Sequence, residues 1–113
     1  MIVDEGRIAM ATYLKTTFTK AKVGLGGNNT SPLSEDLDVP IYSVATLYNS
    51  SSDANVIDFK FSVLGSDIAG HTIREIAIFD STYTTMLTRI NFDGIGPFAS
   101  GEEVDFYVTI EVE

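Results

Sequence analysis

His71 is the only histidine in the chain, and Asp67 and Ser66 stand four and five residues before it. A nucleophilic triad needs such groups held in an oriented, partly buried array. These fall in or beside a segment that reads as a turn, where a solvated pair is the simpler reading. Sixteen carboxylates offer many chance pairs, Asp36 with Asp38 among them, while Asp58 alternates with Lys60 on a strand's outer face. Glycosidase chemistry needs two carboxylates facing each other across a cleft, and nothing in the spacing marks one pair for that. No stretch follows the EF-hand spacing of alternating acids, a turn glycine and a distal glutamate. Glu35, Asp36 and Asp38 offer at most an adventitious calcium site. Gly24-x-Gly26-Gly27 has the look of a phosphate loop, but Asn-Asn-Thr-Ser-Pro follows it instead of a helix opening with Lys-Ser/Thr. Glycines serving a tight turn explain it better. The expectation is therefore a protein with no catalytic residue, no metal site and no cofactor.

Composition narrows the classes further. With 113 residues the chain is long enough for one domain and one core, and it is expected to be a single domain over 1–113. Seven basic and sixteen acidic side chains give a net charge of −9 and a pI near 4.3. That argues against binding a phosphate backbone, so no nucleic-acid partner is expected. There is no cysteine, hence no disulfide framework. Met1 to Glu5 lacks the basic and apolar regions of a signal peptide, and no apolar run approaches the roughly 18 residues of a membrane span. Synthesis in the cytosol and no membrane partner are expected. Asn-x-Ser/Thr matches at Asn28, Asn29 and Asn49 read as polar loop composition.

The elements follow from periodicity. Asp4 is a candidate N-cap of a helix in which Ile8, Ala11, Leu14 and Phe18 share a face, with Thr16, Thr17 and Thr19 marking its end. Ala21 to Gly24 reads as a short strand running into a loop through Pro32. Leu33 to Pro40 is an acidic stretch with Leu37 pointing inward. Tyr42 to Tyr48 is a candidate strand. In Val56 to Leu64, Ile57, Phe59, Phe61 and Val63 alternate with Asp58, Lys60 and Ser62, the pattern of a strand with one buried face. Gly65 to Gly70 reads as a turn, Thr72 to Phe79 as a central strand, and Asp80 to Thr84 as a turn with Asp80 accepting local N–H bonds. Met86 to Phe92 is the next strand, ended by Asp93-Gly94. Ile95 to Glu102 is a loop, and Val104 to Val112 alternates to the end. Phe59, Phe61, Phe79 and Phe106 read as core. Tyr42, Tyr48, Tyr83 and Tyr107 read as outer-face or turn residues. The fold class is mainly β: a small antiparallel β-sandwich of about five or six strands with one N-terminal helix.

The order of these motifs carries a resemblance. After the helix and Val23-Gly24-x-Gly26 comes a Ser/Thr-Pro loop, Leu37 in an acidic stretch and a long alternating strand. Then follow Thr72-Ile73-Arg74-Glu75-Ile76-Ala77-Ile78-Phe79-Asp80, a strand with Leu87-Thr88-Arg89, and a closing alternating strand. Over most of its length the chain resembles the small virion domains of tailed bacteriophages found at the N-terminus of tail-collar and tail-fibre proteins. The block Glu75 to Asp80 is the strongest part. The chain departs from that family at Ala77, where Gly is common. It also departs at Pro40-Ile41-Tyr42, where a basic residue is often found, and at Gly101-Glu102-Glu103, which lacks the usual Lys.

The resemblance implies a non-enzymatic structural protein of the virion, a connector in the tail or baseplate region made in the host cytoplasm. Its partners would be other virion proteins and symmetry-related copies of itself. The expected contact residues are Asn28, Asn29, Thr30 and Pro32 in one loop and Pro97 and Phe98 in another. Two other readings are a capsid decoration or head fibre-base protein, and a small carbohydrate-binding module using surface tyrosines and acids. On its own residues, Ile76 and Ile78 should face one side of the central strand, and Ala77 and Phe79 the other. Glu75 should pair with Arg74, Arg89 or a backbone N–H.

Overall fold

The computed structural model describes residues 1–27, 31, 33–44, 47–49, 55–68 and 70–113. A helix α1 (Asp4–Thr17) is followed by strands β1 (Lys20–Gly24), β2 (Pro40–Val44), β3 (Tyr48–Asn49) and β4 (Val56–Leu64). A single helical turn α2 (Gly65–Ile68) leads into β5 (Ile73–Phe79), β6 (Met86–Ile95) and β7 (Glu103–Glu111). Four strands form one antiparallel sheet in the order β2-β1-β5-β6, and three form a second in the order β3-β4-β7. The expected β-sandwich with an N-terminal helix is the fold.

The core lies between the sheets. β4 delivers Ile57, Phe59, Phe61 and Val63, β7 delivers Phe106 and Val108, and the facing sheet adds Val23, Ile76 and Ile78. Phe61 and Phe106 are cross-strand partners whose rings stack at 5.0 Å, a pairing worth about 0.5–1.5 kcal/mol beyond burial. The other face of β5 is covered too: Ala77 and Phe79 pack with Leu37, Tyr83 and Met86 in a second cluster. Leu37 points inward and β5 is buried on both faces, as its apolar run implies. All four phenylalanines expected in the core are buried there.

Several local expectations are corrected. Val3, not Asp4, is the N-cap of α1; Asp4 is the first helical residue and pairs with Arg7 at 3.1 Å. Ile8 is not on the buried face but 42% exposed. Each step of three residues turns the helix face by about 60°, so Ile8 and Leu14 stand about 120° apart and one contact cannot cover both. The contact centres on Ala11, with Leu14 and Phe18 packed against the core.

The single strand expected over Tyr42 to Tyr48 is two. β2 belongs to one sheet and β3 to the other, so the chain crosses the sandwich between them. The turn expected over Gly65 to Gly70 begins with α2, which buries Ile68. β6 does not end at Asp93-Gly94 but runs on to Ile95. There Gly94 takes φ +115° and the register to β5 slips between Glu75↔Asn91 and Ile73↔Ile95. Asp93-Gly94 forms a bulge and not a strand end; an Asp-Gly pair serves both.

Candidate functional site

The buried centre of the outer layer is Glu75, fully inaccessible to solvent and the only buried charged residue among those described. Burying a carboxylate costs several kcal/mol unless its lone pairs are met, and here four donors meet them. Oε1 accepts from Arg89 Nη2 at 2.8 Å and from the Asp38 N–H at 2.9 Å. Oε2 accepts from the N–H groups of Gly26 and Val39, each at 2.8 Å. Of the partners expected from sequence, Arg89 and backbone N–H groups are the ones used. The Arg74 guanidinium instead donates to the Asp93 carbonyl at 2.6 Å.

Arg89 reaches further into the same loop. Its Nη1 donates to Ser34 Oγ at 2.8 Å and to the Asp36 carbonyl at 3.1 Å, and it lies 3.6 Å from Asp38 Oδ1. Its Nε is buried without a partner among the described residues. Lys22 holds the same loop from β1, with Nζ 3.2 Å from the Asp36 carboxylate and 4.7 Å above the Phe79 ring. Glu75, Arg89 and Lys22 thus clamp both ends of the β1–β2 connection onto the sheet. Both glycines at its entrance leave room for the Glu75 carboxylate: a Cβ on Gly24 or Gly26 would come within 2.5 Å or 2.9 Å of Oε2. That packing, not a phosphate, accounts for Gly24-x-Gly26.

The register brings three connections to one end of the sandwich. β1 finishes at Gly24 opposite Glu75, and β5 begins at Ile73 opposite Ile95, the end of β6. β4 finishes at Leu64 opposite Glu103, the start of β7. The β1–β2, β4–β5 and β6–β7 loops therefore start or end together. Arg74 stands between two of them, its backbone carbonyl crowding Gly27 and its guanidinium lying against Gly94.

Of the contact residues expected from sequence, Asn28, Asn29, Thr30 and Pro32 lie outside the described residues; their neighbours Gly27 and Ser31 belong to the clamped connection. Pro97 is exposed at the loop end, preceded by a cis peptide bond. Phe98 is placed differently from a free anchor: it is half-buried and packs against this chain's own core. The turn carrying it is tied down by hydrogen bonds from the Ala99 N–H to Glu102 Oε1 at 2.7 Å and from the Gly65 N–H to the Glu102 carbonyl at 2.7 Å.

The candidate chemistry does not assemble. His71 is exposed, whereas Asp67 faces Tyr42, whose phenol is raised above its ordinary pKa by burial and by the hydrogen bond it donates to that carboxylate. Asp36 and Asp38 are engaged with Lys22 and Arg89. Among the described residues no three His, Cys, Asp or Glu side chains group in a metal-holding arrangement. Among the described residues no helix is long and apolar enough to cross a membrane. No family model matches the chain, and no curated protein matches it at a significant level.

Proposed function

We propose that this chain is a non-enzymatic structural module of a tailed-phage particle, a connector in the tail or baseplate region working through protein–protein contacts. The observation that carries the reading is the role of the Glu75-to-Asp80 block, the part most similar to the phage domains. Its residues Glu75 to Phe79 lie in the doubly buried strand β5, and Glu75 fixes the base of the loop where contacts are expected. A rigid frame that presents loops at one end suits attachment, where geometry rather than reactivity is selected. The neighbours would be other virion proteins and symmetric copies of the chain.

Antibody labelling of the source particles, viewed by electron microscopy, tests this. Label at the tail or baseplate is the expected result. Label spread over the head would replace the connector with a capsid decoration or fibre-base protein. Particles without the protein would end the virion reading, and binding of a soluble glycan by the isolated domain would then favour the carbohydrate-binding module.

A further inference from the structure

Three of the four strands at the sheet edges are blunted. β2 opens with Pro40 and slips register against β1, β3 has two residues, and β6 slips twice against β5. Short length, proline and bulges are devices that keep an edge from recruiting a further strand. β7 has none of them. It runs nine residues, Glu103–Glu111, in one unbroken register with β4, and among the described residues no strand follows it. The Phe92 and Phe106 rings, 6.4 Å apart, put β6 across from β7. The core is not closed between them: Val104, Ile110 and Phe92 are only half-buried.

The ladder assigns the free backbone groups of β7. The Val112 N–H donates to the Asn55 carbonyl and the Gly65 N–H to the Glu102 carbonyl, and both pairs extend the β4–β7 register at its ends. In an antiparallel ladder alternate residues bond the same neighbour, so the even-numbered residues of β7 bond β4. Glu103, Asp105, Tyr107, Thr109 and Glu111 turn their N–H and C=O groups to the open edge. The same five residues send exposed side chains to the outer face of the sheet. That face carries the carboxylates of Glu103, Asp105 and Glu111, and Asp58, which accepts from Thr109 Oγ1 at 2.7 Å. Among the described residues of the outward rows of β4 and β7 one cation stands against them, Lys60, over the Tyr107 ring.

We infer that the β7 edge takes up, as an added antiparallel strand, an extended segment of another protein of the particle, with lysine or arginine at alternate positions and apolar side chains between them. A row of free N–H and C=O groups specifies an extended backbone. The apolar positions of that segment would continue the core face past Val104, Phe106, Val108 and Ile110. Its basic positions would stand beside Glu103, Asp105 and Glu111 as cross-strand pairs of opposite charge. The same acids exclude a second copy. Full-length two-fold pairing of β7 with β7, centred on Tyr107, sets Glu103 opposite Glu111 at both ends, and like charges directly opposite are destabilising. The chain's own basic alternation, Lys20-Ala21-Lys22-Val23, lies in β1, already flanked by β2 and β5. One row of side chains thus attracts the partner and repels the self-pair. The inference rests on the connector reading and names its surface and the chemistry of the neighbour.

Amide hydrogen exchange of the full chain, followed by NMR with the peptide Lys-Val-Thr-Val-Thr-Val-Lys-Val-Lys, reads the pairing. Laid antiparallel, this peptide sets its lysines beside Glu111, Asp105 and Glu103. In the free protein the N–H groups of Asp105, Tyr107 and Thr109 should exchange fast and those of Phe106 and Val108 slowly. Peptide at up to about 1 mM should slow the first set, and the same peptide with glutamate for lysine should not. Glu103→Lys with Glu111→Lys should weaken binding about tenfold or more. Glu5→Lys with Glu35→Lys, two exposed acids elsewhere with the same change in net charge, should weaken it far less. No slowing, slowing confined to other strands, or equal response to the two peptides overturns the β7 edge. Equal weakening by the two charge reversals assigns the attraction to net charge and overturns the selection by the acidic row. Labelling of the tail or baseplate depends on none of these results, so the connector reading stands or falls separately.

Discussion

Glu75 shows how one residue converts a sheet position into a loop anchor. Its carboxylate accepts three backbone N–H groups and one guanidinium N–H, so removing its charge leaves several buried donors short at once. Glu75→Gln keeps the shape but puts an NH2 group where only donors point. It should cost about 3–5 kcal/mol, the range for breaking a buried pair by removing one partner, read as a lowered midpoint in urea denaturation. A cost below about 1 kcal/mol would mean the clamp contributes little. The expectation of an Arg or N–H partner for Glu75 was available from sequence because a lone acid in a buried strand has to be paired. Arg89 was among the candidates, but the particular N–H groups of Gly26, Asp38 and Val39 were not legible, since they lie between 36 and 49 residues away. Asp80 is the local counterpart, and its role as a turn acceptor was legible because all its partners lie within five residues. The Thr85 and Thr84 N–H groups and the Thr82 hydroxyl hold its pKa below the ordinary 3.8. A depressed folded pKa contributes stability above the unfolded value and loses it as pH falls through the folded one. Asp80→Ala should therefore lower the melting temperature at pH 7, and the gap to wild type should close as the pH drops below about 3.8. A gap that persists at the acid end would assign the effect to something other than the charge.

At the scale of elements, legibility followed the strength of the period. β4 and β7 bury alternate residues along their length, and a period of two read off the sequence locates such strands. β2 and β3 could not be separated that way, because nothing in the residues from Tyr42 to Tyr48 marks where the chain changes sheets. β6 was cut short for a related reason: Asp93-Gly94 looks like a turn, but the glycine is there to continue the strand through a bulge. Gly94 takes φ +115°, and a Cβ on it would come within 2.9 Å of Thr72 Cγ2 and 3.1 Å of Arg74 Nη1. Gly94→Ala should thus destabilise by more than about 1 kcal/mol, combining backbone strain with a clash against the residues that lead into β5. Thermal unfolding checks it, and an unchanged or raised midpoint would show that the bulge relaxes freely. The helix was legible in extent but not in orientation. Its apolar residues are spread around the axis, and only the sheet that meets it decides which of them are covered.

For the whole molecule the governing quantity is the net charge of −9 and its uneven placement along the chain. Copies repel at long range, and salt shortens that range from about 30 Å at 0.01 M to about 3 Å at 1 M. If copies meet through uncharged surfaces, contact formation gains nothing from unscreened charge, and each added increment of salt removes part of the opposing repulsion. Association should therefore strengthen with sodium chloride and strengthen more at equal ionic strength with a divalent cation. The competing arrangement sets the basic N-terminal end of one copy on the acidic body of the next. Its driving force is attraction between opposite charges, so added salt should weaken it steadily. The two arrangements also differ in closure: a two-fold contact stops at a dimer, whereas head-to-tail docking continues into a ring or a filament. Sedimentation across a salt series reads both properties together. A dimer that tightens with salt supports a two-fold contact between uncharged surfaces, and larger species that dissolve as salt rises would move the interface to the acidic loops.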